Sequence, residues 1–248
     1  MYPVIKISET EVPTYLLLMV LSGLIGGIFT YIRSKKGGFN TKDTLLIMLF
    51  GYFGMDLGSR ALYAATVLPD MLKSGGIDFG NLFTGMVFYG GLLGSILFGY
   101  FYVKIMRLPF WEYADLFAPG MALCHAIGRI GCFLAGCCYG FDCDFSFAGL
   151  HFTHFPIQLV ESFFLFGLFA YLCLSKPKNI GGIMKRYLFL YAVFRFFAEF
   201  FRGDEIRGKI IFVSISQWIS VIIVLVILFT CRNVKNSYKS QNIHRKKT

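Results

Sequence analysis

Arg195, Glu199 and Arg202 stand four and three residues apart near the end of an apolar stretch, a spacing that puts three side chains on one face of a helix. Arg129 lies late in another apolar run, Gln158 and Glu161 open a third, and Tyr15 and Tyr89 come early in two more. An ionised side chain at the centre of a bilayer costs at least ~2.5–3.5 kcal/mol, so each needs a partner or a water-filled cavity. Three arginines against two glutamates and a tyrosine make a cavity of net positive potential. Guanidinium groups grip phosphate through paired N–H bonds, so the chemistry predicted is the binding of a phospholipid head group inside a membrane. Asp56 and Arg60 share the spacing of four and read as a self-neutralising pair.

The second group with chemical potential is cysteine. Five of the seven lie between positions 124 and 143: Cys124, Cys132, Cys137, Cys138 and Cys143. There is no CxxC pair, and the spacing around Cys137 and Cys138 matches no zinc pattern, so no metal site and no cofactor are expected. A disulfide from Cys143 to Cys137 or Cys138 is chemically allowed in an oxidising compartment. Cys124, Cys173 and Cys231 read as small apolar packing residues, and His125, His151 and His154 as hydrogen-bonded side chains.

What must position these groups is an all-α integral membrane protein. Of the 248 residues, 56% are hydrophobic and only 15% are charged, a composition outside that of soluble domains. Seven stretches approach the ~20 apolar residues a helix needs to cross the hydrocarbon: 13–32, 44–68, 82–106, 113–137, 157–174, 184–201 and 212–231. The fourth, broken by Pro119, Gly120, Gly128, Gly131 and Gly136, is expected to bend or partly unwind. No separate soluble domain is visible, so 1–248 is taken as one polytopic domain. The first apolar run is long enough to span, and Glu9 and Glu11 outnumber Lys6 before it, so no cleaved signal peptide is expected. Gly23/Gly27, Gly54/Gly58, Gly90/Gly94 and Gly136/Gly140 are small-xxx-small pairs suited to close helix packing.

The net charge of +10 invites a nucleic-acid reading, but its distribution points to a membrane. Sixteen of the 24 basic residues fall in the loops and tail on one side, five on the other, and Arg60, Arg129 and Arg195 inside spans. The positive-inside rule then places the C-terminus in the cytoplasm and the N-terminus outside. Membrane lipid, not nucleic acid, is the expected partner. In that topology the arginine and glutamate positions gather in the outer half of the bilayer.

The run HAIGRIGCFLAGCCYG from His125 to Gly140 contains GRIGxFxxGxxxG, which resembles the signature of the prolipoprotein diacylglyceryl transferases. VFYGGLLG at 87–94 resembles that family's FHGG segment, FPIQLVES at 155–162 its HPxQLYE segment, and RFFAEFFRGDE at 195–205 its RFxxEFxR segment. PTYLL near the start and SQWIS at 216–220 are weaker echoes of its first and last spans. The similarity covers nearly the whole chain, in the family's order.

The resemblance implies transfer of the diacylglyceryl group of phosphatidylglycerol to the lipobox cysteine of a prolipoprotein, at the outer face of a bacterial cytoplasmic membrane. A thioether forms and glycerol phosphate leaves. By motif position it implies Arg129, Arg195 and Glu199 as catalytic residues, with Tyr89 as a hydrogen-bonding stand-in for the family's histidine. Arg202, Tyr15, Gly128, Cys132, Cys137, Gly140, Gln158 and Glu161 would line the substrate site. Cys132 stands where the family has asparagine, and Cys137 where it usually has glutamate. A tyrosine of ordinary pKa near 10 is a poor base at neutral pH, which leaves Glu161 and Glu199 as carboxylates able to take a proton. Two alternatives follow from the same residues: a non-catalytic lipid-binding or transport paralogue, and a transferase with a different acceptor. A membrane thiol-redox protein built on Cys132, Cys137 and Cys138 is a third.

Overall fold

A computed structural model describes residues 4–7, 10–73, 80, 84–147, 150–176, 179–203, 209–210 and 213–245. Lys178, Asp204, Glu205 and the expected span starts at 82 and 212 lie outside the described residues. Seven α-helices carry the described chain: α1 Thr14–Lys36, α2 Thr41–Lys73, α3 Phe88–Ile105, α4 Phe110–Ala135, α5 Ile157–Leu174, α6 Gly182–Ala198 and α7 Ile215–Arg245. Three two-stranded antiparallel hairpins accompany them: β1 Val4–Ile7 with β2 Thr10–Pro13, β3 Asp142–Phe147 with β4 Leu150–His154, and β5 Lys209–Ile210 with β6 Val213–Ser214. The first five helices are long and apolar enough to cross a membrane. Of the other two, α6 has 17 residues with Lys185 and Arg186 in its first turns, and the apolar part of α7 is Ile215–Thr230.

The chain divides into two compact units, residues 27–116 and residues 1–26 with 117–248. In the first, α2 lies against α3 through glycines. A Cβ on Gly54 or Gly58 would run into the Gly94 or Gly90 carbonyl, and one on Gly90 or Gly94 would meet Gly58 or Gly54. Lipid supplies no hydrophobic drive between helices, so such backbone-to-backbone approach is what gives them contact. Gly23 has nothing within 4 Å of an added Cβ, and Gly27 only the Met48 sulfur at 3.8 Å, so that pair does no comparable packing. Asp56 and Arg60 pair as their spacing predicts, with Arg60 Nε 3.0 and 3.2 Å from the two carboxylate oxygens.

The second unit is built around α4, α5 and α6. Ala118, Ala122 and Ala126 form one small-residue stripe on α4, buried with Leu165, Leu168 and Leu172 of α5 and with Ile183 and Tyr187 of α6. Ser162 donates to the Ala126 carbonyl at 2.8 Å, and Phe164 stacks on Phe194 at 4.0 Å. α4 stays helical through Pro119, Gly120, Gly128 and Gly131 and stops at Ala135, before Gly136, so of the five expected interruptions only the last ends the helix. A Cβ on Gly26 of α1 would sit 2.9 Å from the Gly120 carbonyl, and one on Gly131 would sit 3.1 Å from Leu18 Cβ. The glycines therefore serve close packing of α1 on α4. α7 opens with a capping box, in which the Gln217 N–H donates to Ser214 Oγ at 3.2 Å and the Ser214 N–H to Gln217 Oε1 at 3.0 Å.

Candidate functional site

Three helices and the turn that follows the last of them place four charged side chains in a row. Glu161, one turn into α5, is fully buried at 0% exposure, and its Oε1 lies 3.0 Å from Arg129 of α4. Tyr191 of α6 donates to the same oxygen at 2.9 Å. Glu161 Oε2 faces Arg195 at 4.0 Å, and Arg195 in turn pairs with Glu199 at 2.6 Å. Ser216 of α7 lies 3.4 Å from Arg195 Nη2. The row Arg129, Glu161, Arg195, Glu199 is neutral as a set, and Arg202 beyond it adds a positive charge.

The guanidiniums keep binding capacity. Arg129 Nε and Arg195 Nη1 are buried and have no hydrogen-bond partner among the described residues. A buried donor left unpaired costs about 1–3 kcal/mol, and these two are donors to which an anionic oxygen can bond. Arg129 thus has Nη2 on a carboxylate and Nε directed elsewhere, while Arg195 has Nη2 on Glu199 and Nη1 facing Glu161 Oε2 at 4.0 Å, beyond hydrogen-bond distance. Such forks can grip phosphate in a way that lysine cannot reproduce.

Arg202 is placed otherwise than the helical spacing predicts. α6 stops at Ala198, Glu199–Phe201 form a single 3-10 turn, and Arg202 is extended, with φ −87° and ψ 138°. Its backbone bridges to Gly140, where the 139–141 segment, Phe155 and Phe201 meet. The Gly140 N–H donates to the Phe155 carbonyl at 2.9 Å and the Phe141 N–H to the Phe201 carbonyl at 3.1 Å. A Cβ on Gly140 would lie 2.6 Å from the Phe201 oxygen and 2.7 Å from the Phe155 oxygen, so only glycine fits this crossing. Gly128 is less crowded, with an added Cβ 3.6 Å from the Met19 sulfur.

Gln158, also buried, donates to the Cys137 carbonyl at 2.7 Å and so ties α5 to the turn after α4. Cys132 is buried in the last turns of α4. Tyr15, at the start of α1, lies within electrostatic reach of Arg129, Cys132, Cys137 and Cys138. Tyr89 belongs to the unit 27–116, at the start of α3, with its ring edge on Phe88 at 5.8 Å. Arg129, Glu161, Arg195 and Glu199 are joined by direct contacts; Gln158, Cys132, Cys137 and Tyr15 gather beside the end of α4.

Two members of the site carry no motif of their own. Tyr191 holds Glu161, and His125 stands 3.9 Å from the same carboxylate with its ring against Tyr191 at 4.9 Å. A signal exists in helical spacing: Tyr191 is one turn before Arg195, and His125 one turn before Arg129.

The sequence profile described as Prolipoprotein diacylglyceryl transferase matches residues 3–232. The chain is 34% identical over 212 residues to the phosphatidylglycerol–prolipoprotein diacylglyceryl transferase of Clostridium tetani (strain Massachusetts / E88), covering 79% of this chain and 83% of that protein. It is 32% identical over 232 residues to the phosphatidylglycerol–prolipoprotein diacylglyceryl transferase 2 of Clostridium perfringens (strain 13 / Type A), covering 88% and 90%. To the enzyme of that name from Cupriavidus necator it is 31% identical over 230 residues, covering 84% and 83%.

Proposed function

This chain belongs to the prolipoprotein diacylglyceryl transferase family, and on that premise we propose that Arg129 and Arg195 hold the phosphate of phosphatidylglycerol while Glu161 and Glu199 hold the two arginines. Its function is diacylglyceryl transfer from phosphatidylglycerol to prolipoprotein, and it is a multi-pass membrane protein. The acceptor is the thiol of the lipobox cysteine. The thiol gives up its proton to solvent, its sulfur attacks the glyceryl carbon, a C–S bond forms, the C–O bond to phosphate breaks, and the electron pair leaves on glycerol phosphate. Charge grows on the departing phosphate oxygen, and preorganised guanidinium donors in a dry site stabilise that charge. Arg202 and Tyr15 contact the substrates at the edges of the site, and Tyr89 supplies a hydrogen bond. The positive-inside distribution supports an N-out, C-in topology of seven spans with the site toward the outer face.

The carrying observation is the pair of buried guanidinium donors, Arg129 Nε and Arg195 Nη1, without hydrogen-bond partners among the described residues beside a fully buried carboxylate. The test is transfer from labelled phosphatidylglycerol to a lipobox peptide by purified protein in liposomes. Thioether-linked diacylglyceryl peptide made by wild type and strongly reduced in a folded Arg129→Lys variant is the expected result. No product across several lipids and peptides, with lipid binding intact, would overturn the proposal and leave a lipid-binding protein or another acceptor.

A further inference from the structure

The turn after α4 brings the adjacent thiols of Cys137 and Cys138 back onto Cys132, five residues earlier. Gly136, with φ +74°, ends the helix in the left-handed region. The Cys137 N–H donates to the Cys132 carbonyl at 3.1 Å, and the Gly136 N–H to the Phe133 carbonyl at 3.2 Å. This is the Schellman arrangement, which brings the side chain after the glycine back onto the one three residues before the helix end. Here those positions are Cys137 and Cys132. Cys138 then adopts φ +61°, an uncommon conformation for a residue with a Cβ. Gln158 fixes the turn through the Cys137 carbonyl. The three sulfur atoms all lie within 4.8 Å of one another.

We propose that Cys132, Cys137 and Cys138 form a three-thiolate site for a zinc-class ion, with its fourth position open. Zinc–sulfur bonds of about 2.3 Å set the sulfurs of a tetrahedral site about 3.8 Å apart, so the cluster needs a contraction of no more than about 1 Å per pair. Soft thiolates select zinc or copper(I) over hard cations. Three thiolates with a divalent ion carry one negative charge, far less than three bare thiolates, and Arg129 lies one helical turn before Cys132. Structural zinc sites use four protein ligands, whereas three ligands with an open position are the pattern of sites that bind a reactant. Among the described residues no fourth histidine, cysteine or carboxylate joins the group.

Resting on the transferase reading above, the open position takes the acceptor thiol as its thiolate. The thiol's proton goes to solvent and a bound water is displaced. The held sulfur then attacks the glyceryl carbon, as already written, and the neutral thioether departs.

The test uses full-length protein purified from zinc-replete membranes without chelator, with metal content measured by mass spectrometry and cobalt(II) titration read by its thiolate charge-transfer absorption. One zinc per chain and a cobalt band typical of three thiolates are expected in wild type and in Cys173→Ser, with both lost in Cys132→Ser, Cys137→Ser and Cys138→Ser. Wild type without zinc and without a cobalt band, metal retained in the triple serine variant, or the three cysteines found as disulfide would each overturn the site. Chelation is expected to abolish peptide transfer and added zinc to restore it. Transfer unchanged by complete zinc removal would overturn the acceptor role. Zinc bound by the three cysteines with no transfer from any lipid would support the site while refuting the transferase reading, so the two failures are distinguishable.

Discussion

Replacing Arg129 by lysine separates the two tasks assigned to that guanidinium. Arg129 pairs with Glu161 at 3.0 Å through Nη2 and keeps Nε without a partner among the described residues. Lysine preserves the charge and can still neutralise the buried carboxylate, but its compact ammonium cannot hold Glu161 and phosphate along two fixed directions. The loss is then one charge-assisted hydrogen bond to the substrate phosphate, about 1.5–3 kcal/mol, which corresponds to a fall in kcat/KM of roughly 10- to 150-fold. Thermal unfolding in detergent should move little. Arg129→Ala behaves differently, because it leaves a fully buried carboxylate with Arg195 at 4.0 Å as its remaining cationic arginine. Breaking a buried pair by removing one partner costs about 3–5 kcal/mol, so both stability and transfer should collapse. Transfer from labelled phosphatidylglycerol to a lipobox peptide in liposomes reads the first quantity, and thermal unfolding reads the second. If Arg129→Lys transfers at the wild-type rate while remaining folded, the free donor is not a phosphate ligand and the reasoning fails.

Tyr191→Phe removes a donor from a buried carboxylate oxygen at 2.9 Å and should lower unfolding stability by about 1.5–3 kcal/mol; an unchanged thermal midpoint would show that Tyr191 does not anchor Glu161. Gly94→Ala should force α2 and α3 apart, since its Cβ would overlap the Gly54 carbonyl, at about 1–3 kcal/mol, whereas Gly23→Ala has open space and should be neutral or stabilising by up to about 1 kcal/mol. Equal midpoints for these two variants would contradict the glycine contact. Gly140→Ala should reduce transfer more than Gly128→Ala, because the added methyl displaces the segment that carries Arg202; equal activities in the liposome assay would count against that role.

Much of this protein is written along its chain. The length and apolarity of its runs specify helices, because a backbone in hydrocarbon must satisfy its own hydrogen bonds, and the helices fall close to where those runs lie. The four-residue spacing of Arg195 and Glu199, and of Asp56 and Arg60, is enough to pair them, since one helical turn brings such side chains together. The motifs around Arg129, Glu161 and Arg195 carry the resemblance that is visible in the sequence.

Contacts between elements follow from tertiary structure alone. Glu161 becomes the hub because α4, α5 and α6 converge on it, while Tyr191 and His125 join through faces that no local motif marks. The predicted helical trio ends at Glu199 because the last turn tightens and Gly140 captures the Arg202 backbone. Glycines that read as breaks in α4 instead accept α1, as the missing Cβ matters only once a neighbour occupies its place. The cysteines give the same lesson: positions 132, 137 and 138 match no metal spacing, yet a left-handed glycine and a left-handed Cys138 fold their sulfurs into one cluster. Spacing along a chain constrains a helix, but at a reversal the backbone torsions decide which side chains meet.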